Sequence, residues 1–158
     1  MTPGQRKFAL TAHVTSSAGW LGAVVVFLAL TIAGLSSQDA EIVHAVYLVA
    51  EPVTWFVIVP LALASLLTGL VQALGTRWGL FRHYWVLFKL LLTVFATVVL
   101  LQYTQTVSYY AAVAAGADGA YLGGLWSYLL HSGGALLLLL VTTTLSVYKP
   151  QGLTPWAA

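Results

Sequence analysis

Arg82-His83-Tyr84-Trp85-Val86-Leu87-Phe88-Lys89 stands where a basic, polar loop turns into a long apolar run. Ahead of it lies Gly75-Thr76-Arg77-Trp78-Gly79, a turn composition in which Thr76 offers a helix N-cap. Behind Lys89 no charged residue follows before Asp118. A helix crossing a bilayer needs roughly 20 apolar residues at 1.5 Å rise each. Residues 81–110 exceed that, so the stretch reads as the mouth of a membrane helix. A histidine, three aromatics and a lysine fall within its first two turns.

The composition supports the same reading. Of 158 residues, 60% are hydrophobic and only 6% charged. A soluble domain carries about a quarter charged residues, so this chain has too little charge to coat a water-facing surface. Lipid must be its solvent. The absence of cysteine removes disulfides, thiolate metal sites, iron–sulfur ligation and cysteine nucleophiles together. The net charge of +2 comes with no basic run and no nucleic-acid module, which sets nucleic acid aside as a partner.

Three further apolar runs lie on either side. The first covers residues 8–35, anchored by Arg6 and Lys7 and closed by Gly34-Leu35-Ser36-Ser37-Gln38. In the lead-in, Pro3 and Gly4 oppose helix. This run is too long for a cleavable signal peptide and has no Ala-x-Ala-like site before a polar domain. The second covers about 53–74 after Glu51-Pro52, and Pro60 inside it predicts a kink. Residues 39–50 read as an interfacial helical turn or as an extension of that run. After a small-residue loop at 111–120, the fourth run spans about 121–148. Lys149-Pro150 stops it, and the last eight residues read as a short tail.

Charge orients the runs. Arg6, Lys7, Arg77, Arg82 and Lys149 occupy one set of ends, and Asp39, Glu41 and Asp118 the other. The positive-inside rule then puts both termini in the cytoplasm. Trp78, Trp85, Tyr121 and Trp126 near the ends resemble an aromatic belt. The expectation is an all-α protein: a single membrane domain, residues 1–158, folded as a four-transmembrane-helix up-down-up-down bundle.

Small and polar residues mark the faces that should turn from lipid. They are Ala12, Ser16, Gly19 and Ala23 in the first run; Ser65, Thr68 and Gln72 in the second; Lys89, Thr93 and Thr97 in the third. The fourth has Gly123, Ser127, His131 and Gly134.

An ionisable group inside a span is costly and points to a functional site. His13 and Lys89 lie about 9–10 Å from the basic end by helix rise, with His83 and Arg82 at the boundary. His131 lies about 26 Å from that end, at a height shared with Glu51, Trp55 and Tyr103. Two imidazoles on facing helices can hold a haem b iron from both sides. His13 and His83 are the pair best matched in depth, and Arg82 and Lys89 could then meet the propionates. His131 lacks a histidine partner at its height and would form a separate, five-coordinate site. Gly133 and Gly134 beside it leave room for a flat ligand or a close helix.

Other readings stand beside haem. Copper or zinc accepts imidazole, and His131 with Glu51 and His44 could form such a site if the second helix kinks inward. The chain has no His-x-x-x-His spacing, and its only methionine is Met1. A cofactor-free subunit or scaffold, pairing through Gly19 or Gly134 with a partner or a second copy, is a further alternative. Each ionisable residue also has a plain structural role open to it. His83 can face headgroups and Lys89 can snorkel. His13 can bond Ser17 or a carbonyl, and Glu51 can serve as a helix N-terminal charge. No nucleophile–base constellation, phosphate loop or paired carboxylates point to an enzyme.

Thr11-Ala12-His13-Val14-Thr15-Ser16-Ser17-Ala18-Gly19-Trp20-Leu21-Gly22, the stretch Arg82–Lys89 and the ending Leu145-Ser146-Val147-Tyr148-Lys149-Pro150 resemble a family of small bacterial integral membrane proteins of unassigned function. The resemblance covers nearly the whole chain and implies four spans in a bacterial plasma membrane. The first run, with a histidine and then Trp20-Leu21-Gly22, is also similar to copper-resistance membrane proteins of the CopD type and to membrane cytochromes b. That likeness implies haem or copper at histidines. The residues themselves are read as a membrane haem protein, a b-type cytochrome-like electron carrier or a haem sensor, with a redox partner or a second copy of the chain as partner.

Overall fold

The computed structural model describes residues 1–76, 79–116 and 123–155. Among the described residues there are four long helices: α1 (Pro3–Ser36), α2 (Ala40–Gly75), α3 (Tyr84–Ala115) and α4 (Leu125–Tyr148). Each is long and apolar enough to cross a membrane. Among the described residues there is no strand, only an isolated bridge between His83 and Leu153.

Local chemistry moves several boundaries. Pro3 and Gly4 do not oppose helix; α1 begins at Pro3. The Thr2 hydroxyl accepts from the Gln5 N–H, and the Gln5 side chain accepts from the Thr2 N–H at 2.8 Å. Proline suits the first turn because its missing N–H would have no helical partner there. The Asp39 carboxylate accepts from the Glu41 N–H at 2.9 Å and caps α2. Residues 40–53 are thus an extension of the second helix rather than a separate interfacial turn. Thr76 does not start α3. It closes α2 in an extended conformation, and His83 holds the N-cap position of α3. The alanine-rich 111–115, expected as loop, continues α3, as alanine's helix propensity allows. Arg77, Trp78, Asp118 and Tyr121, used above for orientation and the aromatic belt, lie outside the described residues.

The bend expected at Pro60 takes a particular form. Thr54–Ile58 is a π-helical turn, closed by the Val59 N–H bonding back to the Thr54 carbonyl. Pro60 has no N–H to give its preceding turn, and the ladder widens just ahead of it.

Helix α1 lies against α2 along the polar stripes. Gln72 Nε2 donates to the Ala9 carbonyl at 3.1 Å, and the Ser17 and Ser65 hydroxyls meet at 2.7 Å. A Cβ at Gly19 would come within 3.2 Å of Leu61. Gly19 therefore serves contact inside the bundle. The core lies towards the opposite end and is aromatic. Tyr128 and Tyr47 are fully buried. The Tyr128 ring is 5.3 Å from Phe27, 5.4 Å from Tyr47, 6.0 Å from Tyr110 and 6.2 Å from Tyr103. Outside, Phe56, Leu130 and Val147 stand exposed. This is what a chain solvated by lipid shows.

The tail is more than an appendage. Lys149 takes a left-handed conformation and turns the chain back. The Gly152 carbonyl then accepts from the Tyr84 N–H at 3.3 Å, and the Thr154 N–H donates to the Arg82 carbonyl at 3.1 Å. The Thr154 hydroxyl donates to the Phe81 carbonyl. The strap thereby satisfies one of the orphan amides at the start of α3. Thr154→Val keeps the shape and removes the hydroxyl, so it is expected to cost about 1 kcal/mol of unfolding free energy. A dodecyl sulfate titration in mixed micelles reads this; no shift in midpoint would show that the strap carries no stability.

Candidate functional site

Two polar groups are set into this apolar frame. The first is at the end that holds the start of α1, the end of α2 and the start of α3. His13 Nδ1 lies 3.1 Å from the Ser65 carbonyl and 3.1 Å from the Thr68 hydroxyl oxygen. A carbonyl can only accept, so Nδ1 carries the proton and Nε2 keeps its lone pair. The Thr68 hydroxyl spends its own hydrogen on the Ala64 carbonyl at 2.6 Å and is free to accept. Lys89 Nζ stands 3.4 Å from His13 Nε2. Gly69 makes room for the ring, since a Cβ there would come within 3.0 Å of His13 Cε1.

The second group lines a cavity of about 290 Å³ between all four helices. Trp20 and Phe27 of α1, Thr54 and Ile58 of the π turn, Phe95 and Tyr103 of α3, and His131 and Gly134 of α4 lie around it. Phe95 and Leu130, both exposed, place its mouth on the lipid side between α3 and α4. The wall is almost wholly apolar, with His131 and Tyr103 its main polar pair. His131 Nδ1 donates to the Ser127 carbonyl of the preceding turn at 2.9 Å. Its ring stacks on Tyr103 with centroids 3.6 Å apart and planes 13° apart. The Tyr103 hydroxyl meets the Ser127 hydroxyl at 2.7 Å. A tyrosine on one side and its own helix on the other hold the imidazole. Nε2 has no partner among the described residues.

Of the residues expected to act together, the structure joins His13 with Lys89 and Tyr103 with His131. It does not bring His13 and His83 to one point. His83 sits at the N-cap of α3, six residues or about 9 Å of helix from Lys89, whereas His13 is level with Lys89. Axial nitrogens on one iron stand only about 4 Å apart, twice an ordinary metal–nitrogen bond. Lys89 faces His13 instead of snorkelling outward. Arg82 is exposed and joins the tail through its carbonyl. Trp55 leaves the outer group and donates from Nε1 to the Ser108 hydroxyl at 3.1 Å. Among the described residues no three His, Asp or Glu side chains converge as metal ligands, which leaves Glu51, His44 and His131 without a common centre.

The cavity wall and the tyrosine core went unread in the sequence. What the sequence did offer of the wall was His131 and Tyr103 at one height and Gly134 beside them.

Set against known proteins, the chain matches no protein-family model, no curated protein and no solved structure. The resemblances drawn from its sequence therefore rest on the quoted residues alone.

Proposed function

We propose that the protein binds one b-type haem at the cavity between its helices, with His131 as the histidine that would hold it; a cavity of about 290 Å³ encloses part of such a ring, and its mouth between α3 and α4 is open. In this reading the four helices cross a bacterial plasma membrane up-down-up-down, with both termini cytoplasmic. Arg6, Lys7, Arg82 and Lys149 at one set of helix ends, and Asp39 and Glu41 at the start of α2, support that orientation.

One observation carries the haem reading. His131 donates through Nδ1 to a backbone carbonyl and holds an unpartnered Nε2 beside an apolar, aromatic-lined cavity. Metal-bound histidines nearly always donate their other N–H in this way, which fixes the tautomer and ring orientation. Small-molecule sites are likewise mostly apolar with few placed polar groups. Bound haem supplies one-electron and gas-binding chemistry. The chain's own residues do the rest. Ser127 sets the imidazole proton, Tyr103 fixes the ring plane, and Trp20, Phe27 and Phe95 keep water out. No second histidine stands at this height, which favours a haem sensor or gas-binding role over a low-spin electron carrier. A redox partner or a second copy of the chain remains compatible with it.

The test is spectroscopic. Protein purified in mild detergent after growth with haem is expected to show a Soret band. Reduction should give a broad visible band that shifts with carbon monoxide. His131→Ala should abolish the band, while His83→Ala and His13→Ala leave it. A featureless spectrum, or a band indifferent to His131→Ala, would overturn the assignment.

A further inference from the structure

The outward side of α3 carries two amides. Phe88, Leu91, Phe95, Val98, Gln102 and Gln105 follow one another along it at alternating steps of three and four residues, all exposed. Gln102 stands about 4 Å of helix from the middle of α3, and Gln105 about 8 Å. Half the hydrocarbon thickness of a bilayer is about 15 Å, so both amides fall at membrane depth. Neither hydrogen-bonds any residue among those described.

Other polar side chains of the bundle are treated differently. Every buried side-chain nitrogen and oxygen among the described residues has a partner. Hydroxyls on the spans return to their own helix: Thr93 donates to the Lys89 carbonyl at 2.9 Å, and the exposed Thr144 to the Leu140 carbonyl at 2.8 Å. Gln72 of α2 bonds across to the Ala9 carbonyl of α1. Gln102 and Gln105 point where this chain offers them no helix. Lipid tails supply neither donor nor acceptor, so an amide left alone there is costly.

We propose that two copies of the chain pair along this face of α3, as a parallel dimer held at Gln102 and Gln105. The chemistry selects a second copy. A carboxamide carries two donors and an acceptor, so it is its own complement. Two copies inserted alike in one membrane are related by an axis along its normal. Helix α3 then meets its counterpart parallel, and each residue near the axis faces itself. Alternating steps of three and four are the seam of a left-handed helix pair, the commonest crossing in membranes. Polar residues on such a seam fix its register. The aromatic and aliphatic half, Phe88 to Val98, packs beside the amides without opposing them. The dimer does not rest on the haem reading.

The chain has no cysteine, so single cysteines report contact directly. Val98→Cys lies on the proposed seam. Val25→Cys, at an exposed position of similar depth on α1, is the control. Each full-length variant is oxidised in membrane vesicles with copper phenanthroline and sized on a non-reducing gel. Val98→Cys is expected to give a disulfide-linked dimer, and Val25→Cys to stay monomeric. Adding Gln102→Leu and Gln105→Leu to Val98→Cys should slow cross-linking about tenfold. Leucine suits a lipid-facing position, and circular dichroism checks that the helices persist. No cross-link at Val98→Cys overturns the proposal. So do equal yields at both positions, which chance collision explains, and a yield indifferent to the two leucines, which leaves the amides holding nothing. A product of another mass overturns it as well, by putting a different protein on this face.

Discussion

Tyr128→Ala is expected to lower the unfolding free energy by about 2–3 kcal/mol, the largest loss from any single side chain in this bundle. In soluble cores the truncation of a large aromatic costs roughly 3–5 kcal/mol, part of it transfer from water and part the cavity left behind. Lipid is as apolar as a protein interior, so the transfer part shrinks and packing remains. Packing is what Tyr128 has most of. It is fully buried and touches four aromatic rings drawn from α1, α2 and α3. Three of these contacts are edge-on, a geometry worth about 0.5–1.5 kcal/mol beyond area alone. Its hydroxyl matters less, since the bond to the Val107 carbonyl is long at 3.4 Å. Tyr128→Phe should therefore cost under about 1 kcal/mol. Mixed-micelle unfolding followed by circular dichroism separates the two variants. Equal losses would mean that the hydroxyl, not the ring, holds the four helices together.

That core was hidden from the sequence for a physical reason. Tyr47, Tyr103, Tyr110 and Tyr128 sit on three helices, and nothing in their spacing along the chain says that they converge. The spans themselves were legible, because a run of some 20 residues without charge has few fates other than lipid. Their ends were less so. Pro3 and Thr76 were both read with the wrong sign, since a proline opens a helix or breaks it, and a threonine caps or closes one, according to its neighbours. The stripe Ser65, Thr68 and Gln72 announced an inward face, and it became the seam with α1. His13 and Lys89 were recognised by depth, but depth could not say that they faced each other. His13 and His83, read as the pair best matched in depth, stand about 9 Å of helix apart in height, because His13 is level with Lys89. The C-terminal strap left no signal at all, because its bonds are to backbone carbonyls and amides that every residue carries.

Gly134→Phe is expected to remove bound haem completely while leaving the bundle at least as stable as before. A Cβ at Gly134 meets nothing within 4 Å, and the residue lines the cavity beside His131. A phenyl group there fills the space a flat ligand needs without pressing on a neighbouring helix. Helical glycine is itself destabilising by about 0.5–1 kcal/mol relative to alanine, so the fold has something to gain from the change. Gly19 is the contrasting position. It faces Leu61 across the α1–α2 seam, and Gly19→Phe should destabilise the monomer and report nothing about a ligand or a partner. Gly134→Phe therefore also separates the haem reading from the cofactor-free scaffold. A haem site loses its Soret band with an unchanged elution volume on a sizing column. A scaffold that docks a partner helix on this face shows no band in either protein and loses its assembly. Retention of the full Soret band in Gly134→Phe would move the haem out of this cavity and leave His131 as a stacked surface histidine, held by Tyr103 and Ser127 for packing alone.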